Sequence, residues 1–334
     1  MKLSLVGRMV GQVGISLIFI GILLWRVNLD QLWRDLGRTD WRWALLGIPI
    51  FAASGFFHGL RWWLILRHTG KVRFSGSVLA LYSSKGADLI LPFNAGILAQ
   101  VQILHRRYGL DRTAVVAAVV AEGVLDVIVI ALLAPLAFLI LPNGNLRSPA
   151  AWSFVVPVVV IALIARTRRG RRLVETLLLL VPARPQARIR ALANRTRVAF
   201  GALGDVRSLL LLVGLTLADW AMEALAYFTI GQPFHLGVSA PTYLLVTVVA
   251  NLSGAVPLTQ ANVGPYELVI REVLAAAGAD GDRAAAFAVA SHAVLITTII
   301  IMAATSAAIM GLRIRDLFYL RGAAEPSEGE RSRP

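Results

Sequence analysis

Charged side chains interrupt the most apolar segments of this chain. Three pairs have the spacing of neighbours on one helical face: His58 and Arg61, Glu122 and Asp126, and Asp219 and Glu223. An ionisable group at the centre of a membrane helix costs at least about 2.5 to 3.5 kcal/mol, so it tends to face a bundle interior or a wet cavity. Cations suit a phosphate and carboxylates suit an amine, so these groups indicate a cavity that binds a charged molecule.

Further polar residues lie in two shorter apolar segments and in the last long one. We predict that the cavity is lined by eleven substrate-binding residues: Arg61, Lys85, Asn94, Glu122, Asp126, Asp219, Glu223, Asn262, Glu267, Arg271 and His292. The alternative for Arg61 is structural, namely that it pairs with one of the carboxylates and holds the helices together. The two interpretations can coexist.

The composition requires a membrane environment for these residues. Of 334 residues, 57% are hydrophobic and 16% charged, whereas soluble domains contain about 25% charged residues. Apolar runs near the roughly 20 residues that cross a bilayer recur, which excludes a soluble globular enzyme and predicts an all-α polytopic membrane protein. Six segments are expected to be full spans: Val10–Trp25, Trp43–Leu66, Thr113–Leu141, Trp152–Ala165, Ser208–Ile230 and Ala284–Leu312.

The net charge of +14 reports orientation rather than binding of nucleic acid, which we do not expect as a partner. Residues 166–207 contain eleven Arg, so the positive-inside rule makes this loop cytoplasmic, together with both termini. Arg171–Leu180 and Gln186–Leu203 mix Arg with apolar residues and could bind anionic lipid headgroups as amphipathic helices. A plain solvated loop is the alternative. The expected location is the cell (inner) membrane.

Two apolar segments cannot be full spans without breaking this topology. Ser75–Pro92 and Thr242–Pro257 are each followed by a break and a short helix, Ile97–Tyr108 and Pro265–Ala277. A dozen helical residues cover about 18 Å of a core about 30 Å thick. We therefore predict two re-entrant hairpins, with eight or more full spans as the alternative.

The two breaks also indicate an internal repeat. Asn94-Ala95-Gly96 and Asn262-Val263-Gly264 lie 168 residues apart, and each precedes a short helix, a Gly and an Asp-Arg pair. The units, about 43–141 and 208–312, have opposite predicted orientations, as in transporters whose substrate site lies where broken helices meet. We expect one integral membrane domain over residues 1–321 and a disordered tail over 322–334.

The motifs at these positions are similar to those of a known family. Pro92-Phe93-Asn94-Ala95-Gly96-Ile97 keeps the Pro and second Gly of P-G-R-x-G-E, Glu122-Gly123-Val124-Leu125-Asp126 keeps both acids of E-R-x-x-D, and Gly264-Pro265-Tyr266-Glu267 matches G-x-x-E. Over roughly residues 10 to 315 the chain resembles the lysylphosphatidylglycerol synthase transmembrane-region family, a flippase-like domain, as a stand-alone member without the aminoacyl-transferase domain.

The resemblance implies a lipid-translocating membrane domain. We expect a flippase or transporter that moves a phospholipid or polyprenyl-linked lipid across the cytoplasmic membrane by alternating access, with a membrane lipid as its partner. No ATP-binding or hydrolase motif is present, so we expect neither an enzyme nor a cofactor or metal. The alternatives are a secondary transporter of a small solute, a membrane-embedded transferase, and an accessory subunit. Homo-oligomerisation stays open.

Overall fold

A computed structural model describes residues 5–90, 96–140, 206–255 and 259–312, and all regular structure within these ranges is helical. The α-helices are α1 (Leu5–Trp25), α2 (Leu29–Arg38), α3 (Trp41–Leu66), α4 (Phe74–Ile90), α5 (Gly96–Tyr108), α6 (Arg112–Ile140), α7 (Val206–Gly231), α8 (Ala240–Ala255), α9 (Pro265–Ala276) and α10 (Gly281–Ile309). The predicted all-α fold class is confirmed.

Four of these helices, α3, α6, α7 and α10, are long and apolar enough to cross a membrane, and the bent pair α1 and α2 makes a fifth span if taken as one. The chain is therefore a multi-pass membrane protein. Several predictions lie outside the described residues: the span Trp152–Ala165, the basic loop up to residue 205 with its two amphipathic stretches, Asn94 with its break, and the tail 322–334.

Helix α2 was not predicted. It follows α1 at an angle of 90°, and the Asn28 side chain caps its N-terminus by accepting from Gln31 N at 3.1 Å. Leu32 is buried and Leu36 packs against the same core, whereas Trp33 on the other side is 70% exposed. Apolar residues at helical spacing were the available signal, but a segment this short and polar does not resemble a span.

The remaining helices form two units with the same order of lengths. Helices α3 to α6 contain 26, 17, 13 and 29 residues, and α7 to α10 contain 26, 16, 12 and 29. The short helices begin and end within two residues of the predicted hairpin segments. At about 1.5 Å per residue, even the 17 residues of α4 cover only about 25 Å of a 30 Å core.

Each short pair packs as a hairpin. In the first, the Asp88 side chain near the end of α4 accepts a hydrogen bond from Gly96 N at the start of α5. At the other end of the hairpin, Gly76 near the start of α4 lies against Tyr108 at the end of α5. In the second, α8 packs on α9, with Val249 and Val273 in one apolar cluster.

The two units run in opposite directions. Helices α3 and α7 hold equivalent places, and along their contact Gly47 meets Ile230, His58 meets Asp219 and Arg61 meets Thr216. The residue number rises on α3 as it falls on α7, so the helices are antiparallel. The contacts between units are also reciprocal: α4 packs on α10 as α8 packs on α6, and α3 packs on α10 as α7 packs on α6. These relations are those of an inverted repeat.

Close packing of α3 on α4 depends on glycine. A Cβ at Gly59 would lie 2.7 Å from Val78 Cγ2, a stiff β-branched side chain, and a Cβ at Gly55 would meet the Tyr82 hydroxyl. By contrast, Gly214 is exposed on α7, and a Cβ there would have nothing within 4 Å. Small residues therefore set the distance between α3 and the first hairpin.

We expect Gly59→Leu to destabilise the protein by about 1 to 3 kcal/mol, because the added side chain overpacks the α3–α4 contact. The midpoint of thermal unfolding in detergent should fall. Gly214→Leu is the matched control and should leave the midpoint near wild type. Equal midpoints for the two variants would contradict the packing described.

Candidate functional site

A buried cluster of ionisable side chains joins α3, α6 and α7. Arg61 on α3 is 1% exposed. Its Nη1 donates to Asp126 Oδ1 at 2.6 Å and its Nη2 donates to Glu122 Oε1 at 2.9 Å, both on α6. Nη1 also donates to the hydroxyl of Thr216 on α7 at 3.0 Å. One side chain thus connects three helices.

His58, one turn earlier on α3, extends this cluster. Its Nε2 lies 2.9 Å from Glu122 Oε1 and its Nδ1 lies 3.3 Å from Asp219 Oδ2. A doubly protonated ring donates to both carboxylates at once. The antiparallel contact between α3 and α7 is therefore polar at its centre.

For Arg61 the geometry favours the structural alternative. Its guanidinium already pairs with Glu122 and Asp126, and removing one member of a buried pair leaves an uncompensated charge. Glu122 and Asp219 are likewise engaged within the cluster. Asp126 differs, because its side chain is 34% exposed and also borders a cavity.

That cavity has a volume of about 610 Å³ and lies between the two units. Most of its wall is apolar, including Ile130 of α6, Trp220 of α7 and Ile299 of α10. Its charged, amide and imidazole side chains come from α4, α6, α7, α8, the second break and α10: Lys85, Asp126, Glu223, Asn251, Asn262 and His292. A mostly apolar pocket with a few convergent polar groups is the usual form of a small-molecule site.

Two of these groups are available to a ligand. Lys85 is half-buried and forms no ion pair with any residue that the structure describes. Glu223 has Asn251 as its hydrogen-bond donor, with Nδ2 2.9 Å from Oε2, and no cation within the described ranges. The cavity therefore presents one cation and one carboxylate that form no salt bridge within the described ranges and act on each other only at longer range.

The second break forms one edge of the cavity. Ala261 and Asn262 have left-handed backbone conformations, and Asn262 Nδ2 donates to Ser253 Oγ at 2.7 Å. At the start of α9, Glu267 Oε2 accepts from Gly264 N at 2.7 Å, and Glu267 Oε1 lies 2.6 Å from His292 Nδ1 on α10. Glu267 thus caps the N-terminus of α9 and also contacts the neighbouring span, α10.

The two hairpins touch at their breaks. Gln260 Nε2 donates to the carbonyl oxygens of Asp88 and Leu89 at 2.9 and 2.8 Å, which satisfies acceptors at the end of α4. Asp88 Oδ1 in turn accepts from Gly96 N at 2.6 Å at the start of α5. Broken helix ends from both units are therefore stabilised by one another beside the cavity.

Arg271 is not part of this site, contrary to the prediction. Its Nη1 donates to Glu272 at 2.5 Å and its Nη2 to the Arg26 carbonyl at 3.1 Å, at the bend between α1 and α2. It lies one turn beyond Glu267, towards the end of α9 and away from the cavity. Asn251 and Tyr266 line the cavity but were not predicted, because neither side chain carries a charge that distinguishes it from its neighbours in the sequence.

A family model described as Lysylphosphatidylglycerol synthase TM region matches residues 9–304. The chain belongs to this family. The match covers α2 to α9 in full, with most of α1 and α10, and so includes both units and the cavity. No curated protein matches the chain significantly.

The positions that carry the family resemblance have distinct structural roles. Glu122 and Asp126 belong to the ionisable cluster, and Glu267 caps α9. Ile97 stands where the motif has a Glu, and here the carboxylate that meets the first hairpin's Gly96 N–H is supplied by Asp88 from the preceding helix. Each unit thus has a carboxylate at the corresponding glycine.

We expect Arg61→Met to destabilise the protein by about 3 to 5 kcal/mol, since Glu122 and Asp126 lose their buried partner. Thermal unfolding in detergent measures this loss. Arg26→Met is the control: Arg26 pairs with Glu272 at the surface, a contact worth about 0 to 1 kcal/mol.

Neutralising the partners of Arg61 should restore stability. The triple variant Arg61→Met, Glu122→Gln, Asp126→Asn should unfold at a higher temperature than Arg61→Met alone, because no unpaired charges remain on α6. If Arg61→Met is no worse than Arg26→Met, the cluster does not hold the bundle.

Proposed function

We propose that this protein is a transporter that moves the charged headgroup of a membrane lipid across the bilayer. The observation that carries the proposal is the cavity between the two inverted units, where Lys85 and Glu223 form no salt bridge with any described residue. Its lipid-related family supports the substrate class. The protein would act on a phospholipid or polyprenyl-linked lipid without chemical conversion.

The cavity would solve a desolvation problem. A charged headgroup does not cross hydrocarbon unaided, because stripping an ion of water costs many kcal/mol. Lys85 would pair with the phosphate, and Glu223 with a positive group where the headgroup has one. Asn251 and Asn262 would supply remaining hydrogen bonds that water gives up, whereas both ring nitrogens of His292 are engaged by Glu267 and Ala261.

The acyl chains need a different path, and the exposed rim of the cavity supports one. Gly123 of α6 and Asn251 and Gly254 of α8 line the cavity and have large accessible areas, as expected where a cavity opens to the outside. Gly123 lies about 17 Å along α6, away from both helix ends. An opening at this depth faces lipid, which favours a lipid substrate over a small solute.

The inverted units support alternating access. In transporters of this plan, two units of opposite direction move relative to each other around a site near the midplane. We place the protein in the cell membrane with both termini cytoplasmic, and assign the basic loop to anionic headgroups of the same membrane. The membrane potential would then act on any net-charged substrate.

The test is movement of fluorescent phospholipids between leaflets of liposomes that contain the purified full chain. Lys85→Met and Glu223→Gln should each slow this movement about tenfold, as expected if each contact lowers the barrier by about 1.4 kcal/mol. Lys71→Met, which removes an exposed cation between α3 and α4, should leave the rate unchanged.

A wild-type protein that moves no labelled lipid contradicts the proposal. Equal rates for the cavity variants and Lys71→Met would also contradict it, because lipid would then cross without using the cavity.

A further inference from the structure

The pair formed by Glu267 and His292 has a hydrogen-bond geometry that specifies its protons. His292 Nε2 lies 3.1 Å from the carbonyl oxygen of Ala261, which only accepts, so Nε2 carries a hydrogen. On the other side of the ring, Nδ1 lies 2.6 Å from Glu267 Oε1. Two lone pairs cannot face each other at this distance, so a second proton lies between Nδ1 and Oε1.

The pair therefore holds one exchangeable proton. Either the imidazolium donates to the carboxylate, or the carboxylic acid donates to the neutral ring, and both forms have the same number of protons. If this proton is lost, the neutral ring keeps one hydrogen, which can serve Glu267 Oε1 or the Ala261 carbonyl but not both. One of the two contacts that His292 makes with the break and α9 is then lost.

This contact also fixes the second break to α10. Glu267 Oε2 holds the Gly264 N–H at the start of α9, and His292 Nε2 holds the Ala261 carbonyl on the other side of the break. The Tyr266 ring stacks on the His292 ring with centroids 4.1 Å apart. Both ends of the break are thus connected to His292, which itself lines the cavity.

We propose that Glu267 and His292 form a proton-binding site whose occupancy holds the second hairpin against α10. Release of the proton to water leaves a carboxylate and a neutral imidazole, removes one of the two contacts by which His292 holds the break, and so changes access to the cavity. Coupling of this step to lipid movement rests on the function proposed above, whereas the proton site does not.

The neighbouring ionisable groups define the electrostatic setting. Lys85 of α4, Asp126 of α6, and Glu223 and Tyr227 of α7 line the same cavity as His292, and Tyr266 belongs to α9 itself. Helix α1, which packs on α9, has no ionisable side chain between residues 11 and 25. Helix α8 carries one ionisable side chain, Tyr243. On α3, His58 is engaged with Glu122 and Asp219.

Glu267→Gln provides a sharp test because it replaces the acid by a group that needs no exchangeable proton. The Gln amide nitrogen can donate to His292 Nδ1 while its oxygen accepts from Gly264 N–H, so every contact of the closed form is kept. We expect this variant to fold like the wild type and to remain closed at every pH. If the Glu267→Gln variant fails to fold, the proposal is overturned.

The chain has no Cys, so a single introduced thiol reports the motion. Leu295→Cys places one in the cavity wall one turn from His292. Its labelling rate, corrected for the thiolate fraction, should rise about tenfold from the acidic to the alkaline end of the pH range in which the protein stays folded, as the proton is lost. Adding Glu267→Gln should remove this rise, whereas adding Glu272→Gln, on the outer end of α9, should preserve it. A flat wild-type profile, or a rise that survives Glu267→Gln, overturns the proposal.

Liposomes separate this proposal from the function itself. A pH gradient should change the rate of fluorescent phospholipid movement by the wild type and by Glu272→Gln, but not by Glu267→Gln. If lipid moves without any effect of the gradient and labelling is flat, the proton site fails while the transport function stands. If labelling follows pH but no lipid moves, the proton site stands and the transport function fails.

Discussion

The antiparallel contact between α3 and α7 is the constraint on which the rest of the structure depends. These helices begin the two units, so their pairing decides where the two hairpins meet. Arg61 and His58 secure it with Thr216 and Asp219, and the same two side chains recruit α6 through Glu122. Removing one member of such a buried ion pair is costly, because it leaves an uncompensated charge in the interior.

The hairpins follow from a second constraint, which is that broken helices expose backbone groups that hydrocarbon cannot satisfy. The protein satisfies them internally. Asp88 and Glu267 accept from the glycine N–H groups at the starts of α5 and α9, and Gln260 donates to the end of α4. Polar residues that fill these roles necessarily lie beside the break, so the conditions for a stable hairpin also create a polar cavity.

Much of this architecture could be predicted from the sequence, because topology and helix length are properties of the chain alone. The limits of α4, α5, α8 and α9 followed from the apolar runs and their breaks, and charge parity with the about 30 Å thickness of the core indicated that they are not full spans. The pairing partners of individual charged side chains could not be predicted. Arg61 and Lys85 are both cations in apolar segments, yet one is neutralised by α6 and the other is not. Arg271 shares a short helix with Glu267 but meets the α1–α2 bend, and α2 itself has too little apolar surface to resemble a span. Substrate binding by the cavity residues stays a prediction.

The reciprocal contacts of the two units have a conformational consequence. Since the units share one architecture and run in opposite directions, a state in which the first unit adopts the arrangement of the second, and the second that of the first, has the same kinds of contacts with the sides of the membrane exchanged. The described structure therefore outlines its own counterpart. Under the alternating access proposed above, this exchanged state would be the one open to the other side of the membrane. Because Asp88 reaches Gly96 from the preceding helix whereas Glu267 reaches Gly264 from within α9, the two states would differ in free energy.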